Sequence, residues 1–204
     1  MLVTDRHHSS LPLPQAVARA VAGGVGVVQL REKDLPAGEL LALALELRRA
    51  MTDKALLVIN DRVDVALACH AQGVHLPEAG LPVAVARRLV GEGMLVGRSV
   101  HGLKEALRAQ EEGADYVVLG PIYPTRSHPG TVGAGPQLVR EVAGALKIPV
   151  LAIGGIDEGR VGEVVGAGAA GIAVISAILG SGDTLAAARR LREALERSWA
   201  ELRA

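Results

Sequence analysis

The sequence predicts an α/β protein: a single (β/α)8 barrel of the TIM type, one domain over residues 1–204. Three observations predict it. Short β-branched runs alternate with helix-like stretches eight times along the chain. Apolar residues make up 50% of 204, enough to bury a full core. No linker or low-complexity segment divides the chain. Regular alternation of this kind builds a parallel sheet, and eight strands are what close a barrel. An open doubly wound sheet is the alternative. Its G-x-G-x-x-G turn after the first strand is missing, because "VTDRHHSS" stands there.

In order, the elements begin with "MLVT" at 1–4 as a strand and a helix at 12–22, then "VGVVQL" at 25–30 and a helix at 37–52. "ALLVI" at 55–59 leads to a helix at 62–70, and "GVHL" at 73–76 to one at 82–91. "MLVGRS" at 94–99 precedes a helix at 102–112, and "YVVLG" at 116–120 precedes one at 136–146. "PVLAI" at 149–153 and "GIAVIS" at 171–176 complete the strands, with helices at 158–166 and 183–202. Gly23, Gly113 and Gly168 fit helix C-caps turning back towards the sheet. "QEEGADYVV" and "VGAGAAGIAV" repeat that helix-turn-strand grammar. "GPIYPTRSHPGTVGAG", 120–135, is too long for an ordinary connection and reads as a loop that holds a ligand.

Composition excludes several function classes. Acidic and basic residues balance at 22 each, so no strong field points to nucleic acid or an anionic membrane. With no Phe, two Tyr and one Trp, base stacking has little to work with. The single cysteine, Cys69, rules out an internal disulfide and a cysteine metal cluster. Neither a signal peptide nor a long apolar run is visible, and a soluble cytoplasmic protein is expected.

In a barrel of this type the functional face lies at the strand C-terminal ends. Those ends carry Thr4 and Asp5, Gln29-Leu-Arg31-Glu-Lys33, Asn60 and Asp61, His75, Ser99 and His101, Gly154-Gly155, and Ser176. Strand ends meet water in any case, which accounts for Asp5 and Lys33. It does not account for Gln29 and His75, which apolar residues flank. Gln29, Arg31 and Lys33 also share one face by the period of two. A rim pocket follows. Gly154 and Gly155 after strand 7 let a phosphate approach backbone N–H groups, and Ser176 after strand 8 adds a hydroxyl and opens a helix.

"LVTD", "VVQLREKD", "VINDRVDVALACHAQGVHL", "VGRSVHGLKEALRAQEEGADYVVLGPIYPT" and "LAIGGI…AVISAI" together resemble the thiamin phosphate synthase superfamily, end to end. The resemblance implies one of two activities on a (β/α)8 barrel. The synthase joins a pyrimidine diphosphate to a thiazole phosphate with Mg²⁺; the thiazole tautomerase aromatises a carboxythiazole phosphate. The synthase pattern places Gln29, Lys33, Asn60 and Asp61 around the pyrimidine and its diphosphate–metal group, and all four are present. It also expects G-Q-x-D after "GVHL", where this chain has "PEAG": Gly80 stands where the second Mg²⁺ ligand would be, with Glu78 out of register. Its P-T-x-T-K loop is here "PTRSH", which retains Thr125, has Ser127, and puts His128 in place of lysine. The monophosphate grip at Gly154, Gly155, Ile175 and Ser176 is retained.

A missing carboxylate and a missing cation weaken a diphosphate–metal site specifically. The expectation is therefore the tautomerase branch, without cofactor and with a phosphorylated thiazole as its small-molecule partner. His101 is the expected acid/base, since moving a ring proton needs a group titrating near neutrality. The resemblance puts the tautomerase acid/base there too, although many synthases also carry that histidine. Gln29, Arg31, Lys33, Asn60, Ser99, Thr125 and His128 are expected to bind substrate, with Arg98 a further candidate for its carboxylate and His75 next in line for proton transfer. Asp61 is expected to cap the following helix, or to hold Mg²⁺ if the chain is a synthase. The synthase itself and a non-catalytic phosphate-ligand regulator are the alternatives. Homo-oligomerisation stays open.

Overall fold

A computed structural model describes residues 1–125 and 132–203. Eight parallel strands lie in sequence order: β1 (Leu2–Val3), β2 (Val27–Leu30), β3 (Leu56–Asn60), β4 (Gly73–Leu76), β5 (Leu95–Val100), β6 (Tyr116–Leu119), β7 (Val150–Ile153) and β8 (Gly171–Ala173). A single parallel bridge, Leu2 to Val174, closes β8 onto β1, with Val3 N–H donating to Val174 O at 2.9 Å. The predicted barrel is the observed one.

Helices α1 (Leu13–Ala22), α2 (Ala37–Met51), α3 (Val63–Ala68), α4 (Val83–Val90), α5 (Leu103–Glu111), α6 (Pro136–Ala145) and α7 (Val161–Gly166) connect successive strands. Two helices follow β8: the four-residue α8 (Ser176–Leu179) and the long α9 (Thr184–Glu201). The sequence reading extended β8 to 176, because three of the six residues in "GIAVIS" are β-branched; the ladder ends at Ala173, and Ser176 opens the short α8, as its reading at a helix start expected. The reading of 158–166 as one helix divides into a 3-10 turn, Glu158–Arg160, and α7.

Cap glycines follow the predicted logic with one shift. Gly113 and Gly168 take positive φ, 94° and 103°, but after α1 it is Gly24, at 104°, that does so. Gly23 keeps a negative φ and is needed for space, since a Cβ there would lie 2.6 Å from Leu185 O on α9.

Strand parity sorts the core into two parts. The larger apolar cluster includes Val28, Leu30, Leu57, Ile59, Val117 and Leu119 with the inward faces of the helices. Inside the barrel lies a smaller cluster of Val3, Tyr116, Val118 and Ala173. Register places Gln29 beside Val3, His75 between Asn60 and Gly97, and Ser99 beside Val118. The inner face is thus apolar on β6–β8 and polar on β2–β5. That asymmetry is what positions the site.

Candidate active site

A cavity of about 760 Å³ opens at the C-terminal ends of the strands. Of the expected residues, Gln29, Arg31, Lys33, Asn60, Ser99, His101, Thr125, Gly154, Gly155, Ile175 and Ser176 all line it. His75 and Glu78 join them, as does His8 from the loop after β1. His128 and Ser127 lie outside the described residues.

On the polar side, Gln29 is buried and donates from Nε2 to Asn60 Oδ1 at 3.1 Å, so the two amides fix one another. Arg31 and Lys33 follow past the end of β2, and both line the cavity. Their backbone is held by a network the sequence did not disclose. Buried Glu32 accepts from Thr4 Oγ1 at 2.6 Å and from Arg6 Nη1 at 3.1 Å, and Thr4 Oγ1 accepts from Arg31 N–H at 2.9 Å. The alternating pattern was the signal for it, because Glu32 points away from the cavity that Arg31 and Lys33 line.

His75 sits at the barrel centre, 1% exposed. Its Nδ1 lies 3.3 Å from Tyr116 Oη and its Nε2 2.8 Å from Ser99 Oγ. Burial, then the charges of Arg98 and Arg31, push its pKa down from 6.5 to about 3, so the ring is neutral. Tyr116 hydroxyl is buried and has no other acceptor among the described residues, so it donates to Nδ1. Nε2–H then donates to Ser99, which leaves the Ser99 hydrogen to be offered to the cavity. Gly97 makes this chain possible: a Cβ there would fall 2.2 Å from Tyr116 Cζ and 2.6 Å from His75 Nδ1. His75 is therefore an orienting group rather than a reserve proton donor. Tyr116 went unread, although a rare Tyr opposite a strand glycine was the available signal.

His101 lies past β5 at the cavity mouth with its side chain half exposed. Its Nδ1 donates to Gly120 O, and its Nε2 stands 3.3 Å from Glu78 Oε2. It does not cap α5; the cap is Gly102, and Glu105 reaches back to accept from His101 N–H at 3.2 Å.

Two expectations are corrected. Arg98 does not face a substrate carboxylate: it donates to Leu81 O at 2.9 Å and Glu78 O at 2.7 Å, pinning the loop that follows β4. Asp61 does not cap α3, which has no side-chain cap; it adopts a left-handed φ of 64°. Its carboxylate lies outside the cavity lining, with Oδ1 2.8 Å from where a Cβ on Gly80 would be.

At the other end, Gly154 and Gly155 take φ of 99° and 61°, and Cβ atoms there would strike Pro121 and Pro124 O at 2.7 and 2.6 Å. Ile122 N–H donates to Ile153 O and Tyr123 N–H to Gly154 O, so the start of the long loop packs onto this turn. Among the described residues the N–H groups of Gly155, Ile156 and Ser176 have no protein acceptor. Because α8 is only four residues long, these individual donors, rather than a long helix dipole, make this end receptive to an anion.

A family model described as thiamine monophosphate synthase matches residues 1–178. The chain belongs to that family. Thiamine-phosphate synthase of Methanoculleus marisnigri is 48% identical over 184 residues, 89% of this chain and 87% of its own. That of Moorella thermoacetica is 41% identical over 201 residues, covering 97% and 95%. Among solved structures, thiamine phosphate pyrophosphorylase from Pyrococcus furiosus matches with a TM-score of 0.89 and 37% identity, covering 97% of this chain and 95% of that one. Relatives that match most of this chain thus carry the synthase name, and the tautomerase expectation finds no specific support among them. No helix among the described residues is long and apolar enough to cross a membrane.

Proposed function

We propose that the chain catalyses its family's synthase reaction, joining a pyrimidine carried on a diphosphate to a thiazole carrying one phosphate. The observation that carries this reading is one cavity with two anion-receptive ends: Arg31 and Lys33 just past β2, and the free donors after β7 and β8. A ring isomerase would set only a carboxylate, and no departing diphosphate, against the two cations at the first end. The relatives named as synthases support the same reading.

In the coupling, the bond from the pyrimidine methylene carbon to the diphosphate oxygen breaks, and the diphosphate leaves with the electron pair. The thiazole ring nitrogen supplies its lone pair to form the new C–N bond. Lys33 and Arg31 neutralise the departing charge. The locked Gln29–Asn60 amides orient the pyrimidine, and Ser99 offers its hydrogen to an acceptor on it. Gly155, Ile156 and Ser176 hold the thiazole phosphate, so that the ring nitrogen and the methylene carbon meet in one orientation.

Among the described residues no group of three or more His, Cys, Asp or Glu could hold a metal ion. A Mg²⁺ brought in with the diphosphate ordinarily takes about one or two protein carboxylates; Asp61 would supply one, although its carboxylate lies outside the cavity lining. When bound, it would add further neutralisation of the leaving group.

One observation favours a second reading. Gly80 faces Asp61 where a second carboxylate would complete that metal site, and His101 stands at the cavity mouth. On this reading His101 would move the ring proton of a tautomerase substrate, with no metal required.

Purified protein incubated with pyrimidine diphosphate, thiazole phosphate and Mg²⁺ should release thiamine phosphate and diphosphate. Failure to do so, combined with aromatisation of the carboxythiazole phosphate in EDTA, would reverse the order of the two readings.

A further inference from the structure

Arg160 lies outside the cavity lining, in the 3-10 turn before α7, yet its contacts converge on the phosphate end. Its Nη1 donates to Gly155 O at 2.6 Å. Its guanidinium carbon stacks over the Tyr123 ring, 4.6 Å from the centroid. The Tyr123 hydroxyl is in turn bonded to Glu163 on α7, and Tyr123 N–H donates to Gly154 O at 3.1 Å. Burial, and then the bond to Glu163, push the Tyr123 phenol up to about 12, so it remains a donor at any working pH.

The peptide linking Gly155 to Ile156 therefore has its carbonyl on a cation outside the cavity, while its N–H belongs to Ile156, which lines the cavity and has no protein acceptor among the described residues. A charge-assisted bond to a carbonyl polarises the peptide and strengthens its N–H as a donor. It also fixes the plane of a peptide next to a glycine whose φ of 61° leaves it few local restraints.

We propose that Arg160 is a positioning residue for phosphate: it orients and polarises the Gly155–Ile156 peptide from behind, with the Tyr123 ring and Glu163 holding it there. This rests on the reading of the β7–β8 end as the thiazole phosphate site. Lysine could not replace it. A single ammonium can carry the charge, but it lacks the planar group that stacks on Tyr123 while bonding Gly155.

The test titrates inorganic phosphate into wild type, Arg160→Gln and Arg160→Lys by calorimetry, with thermal midpoints measured alongside. Arg160→Gln should weaken phosphate binding about tenfold, the order expected for one charge-assisted contact. Arg160→Lys should recover less than half of that loss on a logarithmic scale, and both midpoints should stay close to wild type. In the coupling assay, KM for thiazole phosphate should rise by a similar factor while kcat and KM for the pyrimidine diphosphate hold. Undiminished phosphate binding by Arg160→Gln, or full rescue by lysine, overturns the positioning role. A wild type that binds no phosphate at tens of millimolar overturns the phosphate-end reading itself.

Discussion

Burying a neutral histidine at the centre of the barrel makes the fold acid-sensitive in a way that can be worked out in advance. His75 has a native pKa of about 3 against 6.5 for an ordinary imidazole. Between those two values the unfolded chain binds a proton at this position and the folded chain does not. Stability therefore falls as pH drops through that window and is independent of His75 above it. Integrating the difference gives a loss of about 2 kcal/mol between about pH 7 and pH 5, and a ceiling of roughly 4–5 kcal/mol near pH 3. Urea midpoints across that range for wild type and His75→Gln isolate the contribution, because every other titrating group is shared. The wild type should lose about 2 kcal/mol more than the variant by about pH 5. Nitrogen-resolved NMR of the intact protein provides a measurement that does not depend on the variant folding. It should show His75 protonated on Nε2 alone throughout that range. Equal acid sensitivity in the two proteins, or a His75 ring that titrates near 6.5, would refute the buried-neutral assignment and the direction of the Tyr116–His75–Ser99 chain with it.

Other outcomes follow from single contacts. Gly97→Ala places a Cβ 2.2 Å from Tyr116 Cζ and 2.6 Å from His75 Nδ1 and should destabilise by about 3 kcal/mol in urea unfolding, since both rings of the buried chain would have to shift. Ser176→Ala should raise KM for thiazole phosphate about tenfold and leave kcat nearly unchanged, as expected for one hydroxyl donor to a charged oxygen. Gly80→Asp sets a carboxylate beside Asp61 and should tighten the Mg²⁺ dependence of coupling about tenfold, measured as the Mg²⁺ concentration for half-maximal rate. An unchanged Mg²⁺ requirement would place the metal elsewhere. His101→Gln separates the two readings: it should cost a tautomerase about 10²–10⁴ in rate but reduce coupling by less than about tenfold.

Most of the cavity lining was legible because barrels place their pockets at strand ends and the period of two assigns side chains to faces. Gln29, a polar residue flanked by aliphatics, could only point inward on a half-polar barrel, and it does. Gly154, Gly155 and Ser176 were readable because their position after β7 and β8 gives meaning to residues that are unremarkable elsewhere. What stayed hidden depends on contacts across strands. Tyr116 finds His75 only because Gly97 between them has no side chain. Arg98 looked like a substrate ligand until the loop after β4 folded back to offer it two carbonyls. Asp61 resembled a helix cap, but its left-handed backbone turns the carboxylate towards Gly80 instead. The choice between branches was the weakest inference, because it rested on two substitutions, and relatives carrying the synthase name match nearly the whole chain.

Both stems of the long loop after β6 are fastened independently of what lies between them. On one side Ile122 and Tyr123 bond Ile153 and Gly154; on the other Ala134 and Gly135 bond back to Pro121 and Ile122. Gly120 and Gly133 allow that proximity, since a Cβ would come within 2.2 Å of Ile153 O at the first and 2.4 Å of Ile122 O at the second. The two stems therefore form a frame that the barrel itself maintains. A side chain at Gly120 would therefore be felt at the end of β7, across the loop's entry, rather than within the loop alone.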